Sequence, residues 1–197
     1  MELLDTNRSV LVVVDLQGRL VEMVHRSKTV LAATVRLLRL ADLFAVPVIL
    51  TEQYPQGLGP THPEVKAAFD ALAIPKRLVP KTSFSCCGEP AFLRALDDLR
   101  PRTRSGARQV VLAGIEAHVC VQQTALELLH YGNQVCLAWD AVSGRGEEYR
   151  RHALERMTAA GAWLTNHESA GFEWARDKNH PRFKELSQIL KGGQPEG

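Results

Sequence analysis

Six short runs rich in valine, isoleucine and leucine recur along the chain. A segment able to form a helix lies between each run and the next. The first run, "SVLVVVDLQ" at 9–17, is apolar without alternation, as a strand covered on both faces requires. The others are "VPVILTEQ" (46–53), "KRLVPK" (76–81), "ARQVVLAGI" (107–115), "QVCLAWDAVSG" (134–144) and "AWLTNHE" (162–168). Between and after them, helical spacing of apolar residues is read at 27–45, 62–72, 89–100, 117–132, 147–161 and 180–191. Parallel strands need crossovers of this length. The pattern therefore predicts an α/β chain: a three-layer α-β-α sandwich with a six-stranded parallel sheet, Rossmann-like, in a single domain over residues 1–197.

Composition narrows the function classes. A net charge of +2 is too small to indicate a nucleic-acid or membrane-surface partner. The local basic stretch "RPRTRSGAR" at 100–108 reads as a solvated loop, and the tail "GGQPEG" as frayed. The N-terminal "MELLDTNRSVLVVVDLQ" lacks a leader pattern, and no apolar stretch reaches the ~18 residues of a membrane span, so a cytoplasmic protein is expected. The four cysteines Cys86, Cys87, Cys120 and Cys136 show no paired metal spacing and are expected as free thiols.

In open parallel sheets ligands bind beyond the carboxyl ends of the strands, near the point where strand order reverses. Four polar residues stand at such ends: Asp15, Glu52, Lys81, and Cys120 just after the fourth strand. A carboxylate, an ammonium and a thiol make a coherent set. An ammonium and a helix N-terminus both favour thiolate, the carboxylate can exchange a proton, and the turn "GIEAHVC" can aim backbone N–H groups at an oxyanion. Taken singly, each of these residues also has a plain structural role as a turn residue, a surface lysine or a small core thiol.

The stretches "VVVDLQ", "PKTSFS", "GIEAHVCVQQTALELL" and "DAVSGR", in this order, resemble the isochorismatase-like cysteine hydrolases, a family that includes nicotinamidases and N-carbamoylsarcosine amidase. The resemblance runs from about residue 8 to 191. The segments "TEQYPQGLGPT" and "HPRFKELSQILK" are similar to its isochorismatase domain-containing subgroup. It implies a triad of Asp15, Lys81 and Cys120 and a cis peptide at Ile115–Glu116, with the N–H groups of Glu116 and Cys120 receiving an oxyanion. It further implies thiolate attack on an amide, loss of amine through Asp15 and hydrolysis of a thioester. A homo-oligomer is expected from relatives and from the apolar stripe of "FKELSQILK".

The chain departs from nicotinamidases where they carry a metal site. It reads Thr51-Glu52-Gln53, with His62 well downstream, so neither a metal nor another cofactor is expected. Gln17, Glu52, Tyr54 and His118 are candidates for lining the substrate pocket, and the loop around Tyr54 for a lid or wall. Trp139 is read as pocket wall or core, Trp163 and Trp174 as packing residues. The function expected is hydrolysis of a small amide-like metabolite. The alternatives are an idle binding or assembly module of the same fold, and a thiol redox protein pairing Cys120 with Cys86 or Cys87.

Overall fold

The structure is a computed structural model that describes residues 2–101 and 106–192. Residues 102–105 of the basic stretch and the tail at 193–197 therefore lie outside the described residues. Six strands form one all-parallel sheet: β1 (Ser9–Val14), β2 (Val48–Gln53), β3 (Lys76–Lys81), β4 (Gln109–Gly114), β5 (Gln134–Val142) and β6 (Trp163–Thr165). Their order is β3-β2-β1-β4-β5-β6, which puts the reversal of strand order between β1 and β4.

Alternation along the strands divides the core in two. Leu11, Val13, Val48, Leu50, Val111, Ala113, Cys136 and Ala138 face one side, under α2 (Ser27–Leu43), α4 (Pro63–Asp70), α8 (His167–Ala175) and α9 (Phe183–Lys191). Val10, Val12, Val14, Ile49, Val110, Leu112, Val135 and Leu137 face the other, under α5 (Pro90–Leu99), α6 (Gln122–His130) and α7 (Glu147–Ala159). These are the three layers the sequence predicts.

The boundaries differ from expectation for local reasons. β1 stops at Val14 because Asp15 turns into the left-handed region at φ 51°. β6 stops at Thr165 because Asn166 caps α8, its side chain accepting from the Ser169 N–H at 2.8 Å. Helix α8 itself was not read from the sequence. Nor were two short helices at the carboxyl edge of the sheet, α1 (Gly18–Glu22) and α3 (Pro55–Leu58). The helix expected over 117–132 opens as a π-helical turn, Ala117–Val121, before α6. Helix α9 begins at Phe183, and its apolar stripe packs inward: Leu186 is fully buried, and Phe183, Ile189 and Leu190 pack on the same core. That stripe is therefore used first to cover the chain's own core, with Phe183, Ile189 and Leu190 left partly exposed.

The closest approach in the sheet lies at the strand-order reversal. Val14 and Gly114 are paired, and a Cβ on Gly114 would stand 2.1 Å from the Val14 carbonyl oxygen. Gly114 also has φ 119°, so glycine is required there on both counts. The chain then turns toward the other face and delivers residues 115–120 above the end of β1.

Candidate active site

Asp15, Thr51, Lys81 and Cys120 meet at the carboxyl edge of the sheet. Strand parity explains the meeting. Ile49, Thr51 and Gln53 share one face of β2, and Val79 and Lys81 share that face of β3, so all point toward the side covered by α5 and α6. Lys81 Nζ lies 2.7 Å from Asp15 Oδ2. The Thr51 hydroxyl donates to Asp15 Oδ1 at 2.7 Å. Cys120 and Asp15 line the same cavity, close enough for the carboxylate to act on the thiol electrostatically.

Lys81 is anchored on every side. It donates to Gln53 Oε1 and to the carbonyls of Ser83 and Phe84, both at 3.0 Å. Burial pulls its pKa down, but the Asp15 carboxylate and the neighbouring thiols outweigh it, and the net shift is upward. The ammonium is thus permanently charged and its donors are engaged.

The thiol behaves differently from the sequence expectation. Burial, and after it the Asp15 carboxylate, push the Cys120 thiol up to about 12, against the opposing pull of Lys81. The physical reason is that loss of hydration on burial and the adjacent Asp15 carboxylate together outweigh the attraction of Lys81. The resting group is therefore a thiol presented to a carboxylate, not a poised thiolate. Cys86 stands behind it, fully buried, its Sγ 3.9 Å from the Thr51 hydroxyl and its thiol pushed up to about 11 by burial and then by Asp15. All four cysteines are free and buried.

The turn after β4 carries a cis peptide between Ile115 and Glu116. Its internal bonds run from the Ala117 N–H to the Ser143 carbonyl and from the Val119 and Val121 N–H groups to the Glu116 carbonyl. The amides of Glu116 and Cys120 are not among these bonds. The Glu116 carboxylate lies 2.9 Å from Arg145 Nε.

Above the cluster is a cavity of about 190 Å³ lined by Asp15, Leu20, Gln53, Leu58, Phe84, Ile115, Glu116, Val119 and Cys120. The four side chains expected as pocket lining are held elsewhere. Gln17 is a buried clamp, bonding the Gln53 backbone in both directions and the Gly59 carbonyl at 2.7 Å. Glu52 has the opposite parity from Thr51, and its carboxylate accepts from the Thr61 N–H and hydroxyl at 2.8 and 2.7 Å. Tyr54 lies 54% exposed over Gly57, beside the wall that Leu58 provides. His118 turns away from Cys120 and stacks on Tyr149, ring centroids 4.7 Å apart. Trp139 is neither wall nor core: it is half-exposed beneath the Arg150 guanidinium. Trp174 is buried and donates to the Ser9 hydroxyl, and Trp163 packs on the core.

The residues that close β2 do not suit the metal of nicotinamidases. Thr61 occupies Glu52, Lys81 occupies Gln53, and Thr51 serves Asp15. Sequence reasoning did not single out Thr51, Gln53, Leu20 or Val119, whereas Leu58 lies in the loop around Tyr54 that was expected as a wall. For the first two, the alternation from Ile49 was the available signal.

Comparison with known proteins agrees with this geometry. The model of the isochorismatase domain matches residues 9–169. Isochorismatase domain-containing protein 2A of Mus musculus is 41% identical over 188 residues, covering 95% of this chain and 85% of that protein. The structure of the Mar1 ribonuclease of Caenorhabditis elegans superimposes with a TM-score of 0.87 at 34% identity, covering 100% of this chain and 96% of that one. The YcaC protein of Escherichia coli, described as an octameric hydrolase of unknown specificity, does so with a TM-score of 0.80 at 27% identity, covering 96% and 97%.

Proposed function

The chain belongs to the isochorismatase family, and from that premise we propose that it is a cysteine-dependent hydrolase cleaving the C–N bond of a small amide. The observation that carries this reading is the placing of Cys120 beside the Asp15–Lys81 ion pair at the floor of a small cavity. Cys120 Sγ attacks the amide carbon while its proton passes to Asp15, so no free thiolate is needed beforehand. The oxyanion is received by the backbone N–H groups of Glu116 and Cys120. As the C–N bond breaks, Asp15 returns the proton to the leaving amine and a thioester remains. Asp15 then takes a proton from water, the resulting hydroxide attacks the thioester, and as the C–S bond breaks Asp15 returns that proton to sulfur and restores the thiol. Lys81 keeps Asp15 oriented throughout.

The test is ammonia release from a panel of small primary amides by the wild type and by Cys120→Ala. Turnover confined to the wild type, with the variant unfolding at the same temperature, supports the mechanism. Turnover retained in the variant removes it. The second reading, an idle binding or assembly module, is favoured by one observation: Cys120 is buried, which disfavours its thiolate. It predicts that no amide in the panel is turned over.

The relative of C. elegans is named a ribonuclease. Here two acidic residues line the cavity, each already paired, and Lys81 has no donor left for a phosphodiester. An amide suits this lining better than RNA. The octameric relative supports a homo-oligomer, which light scattering at micromolar concentration tests. The proposed location is the cytoplasm, whose reducing conditions suit four free thiols. Among the described residues no helix is long and apolar enough to cross a membrane.

A further inference from the structure

We infer that the ligand class of this cavity is a neutral, short-chain aliphatic amide, not an amide bearing an acid, an ammonium or an aromatic ring. The inference deepens the hydrolase reading and takes the word amide from it. The size, charge and polarity of the ligand come from the walls.

Size comes first. At roughly 30 Å³ per water-sized group, a cavity of about 190 Å³ takes about six non-hydrogen atoms, which is an amide head and a short alkyl chain. The walls above the reacting cluster are apolar: Leu20 from α1, Leu58 from α3, Phe84 from the loop after β3, and Ile115 and Val119 from the turn after β4. An alkyl chain gains from that contact, and a charge loses its hydration there without a partner.

Charge is decided by what lines the cavity. Asp15 and Glu116 are among the lining residues, and the carboxylate of each is already paired with a cation, Lys81 and Arg145. Among the described residues no lysine or arginine lines the cavity. An acid group on the ligand would meet the Asp15 carboxylate and no free donor of opposite charge. An ammonium would have to draw Glu116 or Asp15 away from its partner.

The mouth is set in advance. Phe84 and Leu58 are 57% and 41% exposed, an unusual position for large apolar side chains. Their backbones are nevertheless pinned. Lys81 holds the Ser83 and Phe84 carbonyls, and Glu89 accepts from the Thr82 and Ser83 N–H groups at 2.8 and 3.1 Å. Gln17 holds Gly59 beside Leu58. These two side chains determine how long and how broad a ligand can be.

The probe is alkylation of Cys120, read by peptide mass, with iodoacetamide and with iodoacetate, which differ in charge but not in the reacting carbon. The ratio of the two rates is compared with that for free glutathione at the same pH. The expected ratio exceeds that of glutathione by about tenfold. Butyramide is expected to protect Cys120 better than succinamate, glycinamide or benzamide. Phe84→Ala is expected to weaken butyramide protection by about tenfold and to admit benzamide, and Leu58→Ala to act in the same direction should the first variant misfold. A ratio no greater than that of glutathione overturns the inference, as does better protection by any of the other three amides. Protection in the expected order without ammonia release from butyramide would leave the ligand class standing and remove the hydrolase reading. Faster ammonia release from succinamate than from butyramide would keep the hydrolase and remove the ligand class.

Discussion

Asp15 Oδ2 stands 2.7 Å from Lys81 Nζ, with the two side chains 1% and 0% exposed. A pair so enclosed contributes little net stability, but loss of one partner strands the other charge. Lys81→Ala is therefore expected to cost about 3–5 kcal/mol in urea unfolding. It should also abolish turnover of any amide substrate, because the carboxylate proposed to accept the thiol proton loses the partner that orients it. The double variant Asp15→Asn/Lys81→Met is expected to recover much of the stability and none of the activity. Equal stability of Lys81→Ala and the wild type would mean that the pair is not formed in solution.

The same pair sets the reactivity of Cys120. With the thiol pushed up to about 12, alkylation by iodoacetamide should stay slow from neutrality to about pH 9 and climb through the alkaline range. Asp15→Asn removes the carboxylate that raises the thiol and frees Lys81 to favour the thiolate. Near pH 8 this variant should therefore be alkylated about tenfold faster than the wild type or more, while losing about 10²–10⁴ in hydrolysis. Faster alkylation with slower catalysis would separate the nucleophile's acidity from the base that activates it. Slower alkylation in Asp15→Asn would contradict the charge arrangement described.

What the sequence disclosed follows from this geometry. Asp15, Lys81 and Cys120 were legible because each closes or follows a strand, and strand ends converge wherever the sheet reverses its order. The pocket walls were not. Glu52 and Gln53 are adjacent polar residues on one strand, and parity alone gives Gln53 to the site, since Ile49, Thr51 and Gln53 share a face. Which face of a doubly covered strand looks toward the site depends on its neighbours, and no single strand records that. His118 was misjudged for a related reason. A π-helical turn places five residues where an α-helical reading assumes a different rotation, so the ring leaves toward Tyr149. The state of the thiol was hidden because burial, its main cause, is a tertiary property.

Burial of all four thiols gives the chain a stability that declines in alkali. Each thiol ionises near 9 when unfolded. In the fold, burial is the first cause pushing Cys86 up to about 11, Cys87 and Cys120 up to about 12, and Cys136 higher. A raised folded pKa means that stability is fully present below about pH 9 and is lost as pH rises toward the folded values. The loss per thiol is about 1.4 kcal/mol per pH unit. Cys136→Val, in the core under α2, removes one such proton without touching the site. Its unfolding free energy should fall less steeply than that of the wild type between about pH 9 and 11. Parallel slopes for the two proteins would mean that Cys136 is not protonated by the fold.

Gly114 tests whether the approach of β1 and β4 is needed to assemble the site. In Gly114→Ala the new Cβ would lie 2.1 Å from the Val14 carbonyl oxygen, on a backbone at φ 119°. The only relief is to move the two strand ends apart. Val14 immediately precedes Asp15, and Gly114 leads into the turn bearing Cys120. Separation of the strands therefore separates Asp15 from Cys120, the proposed base and nucleophile. A cost of about 3 kcal/mol or more is expected in unfolding, together with loss of the Asp15–Cys120 contact. The second effect is visible in the chemistry of the variant that remains folded: with the carboxylate withdrawn, the alkylation pKa of Cys120 should fall below that of the wild type. A stable variant with unchanged alkylation and turnover would show that the fold absorbs a methyl at the reversal point, and that the two strand ends do not hold the catalytic pair in register.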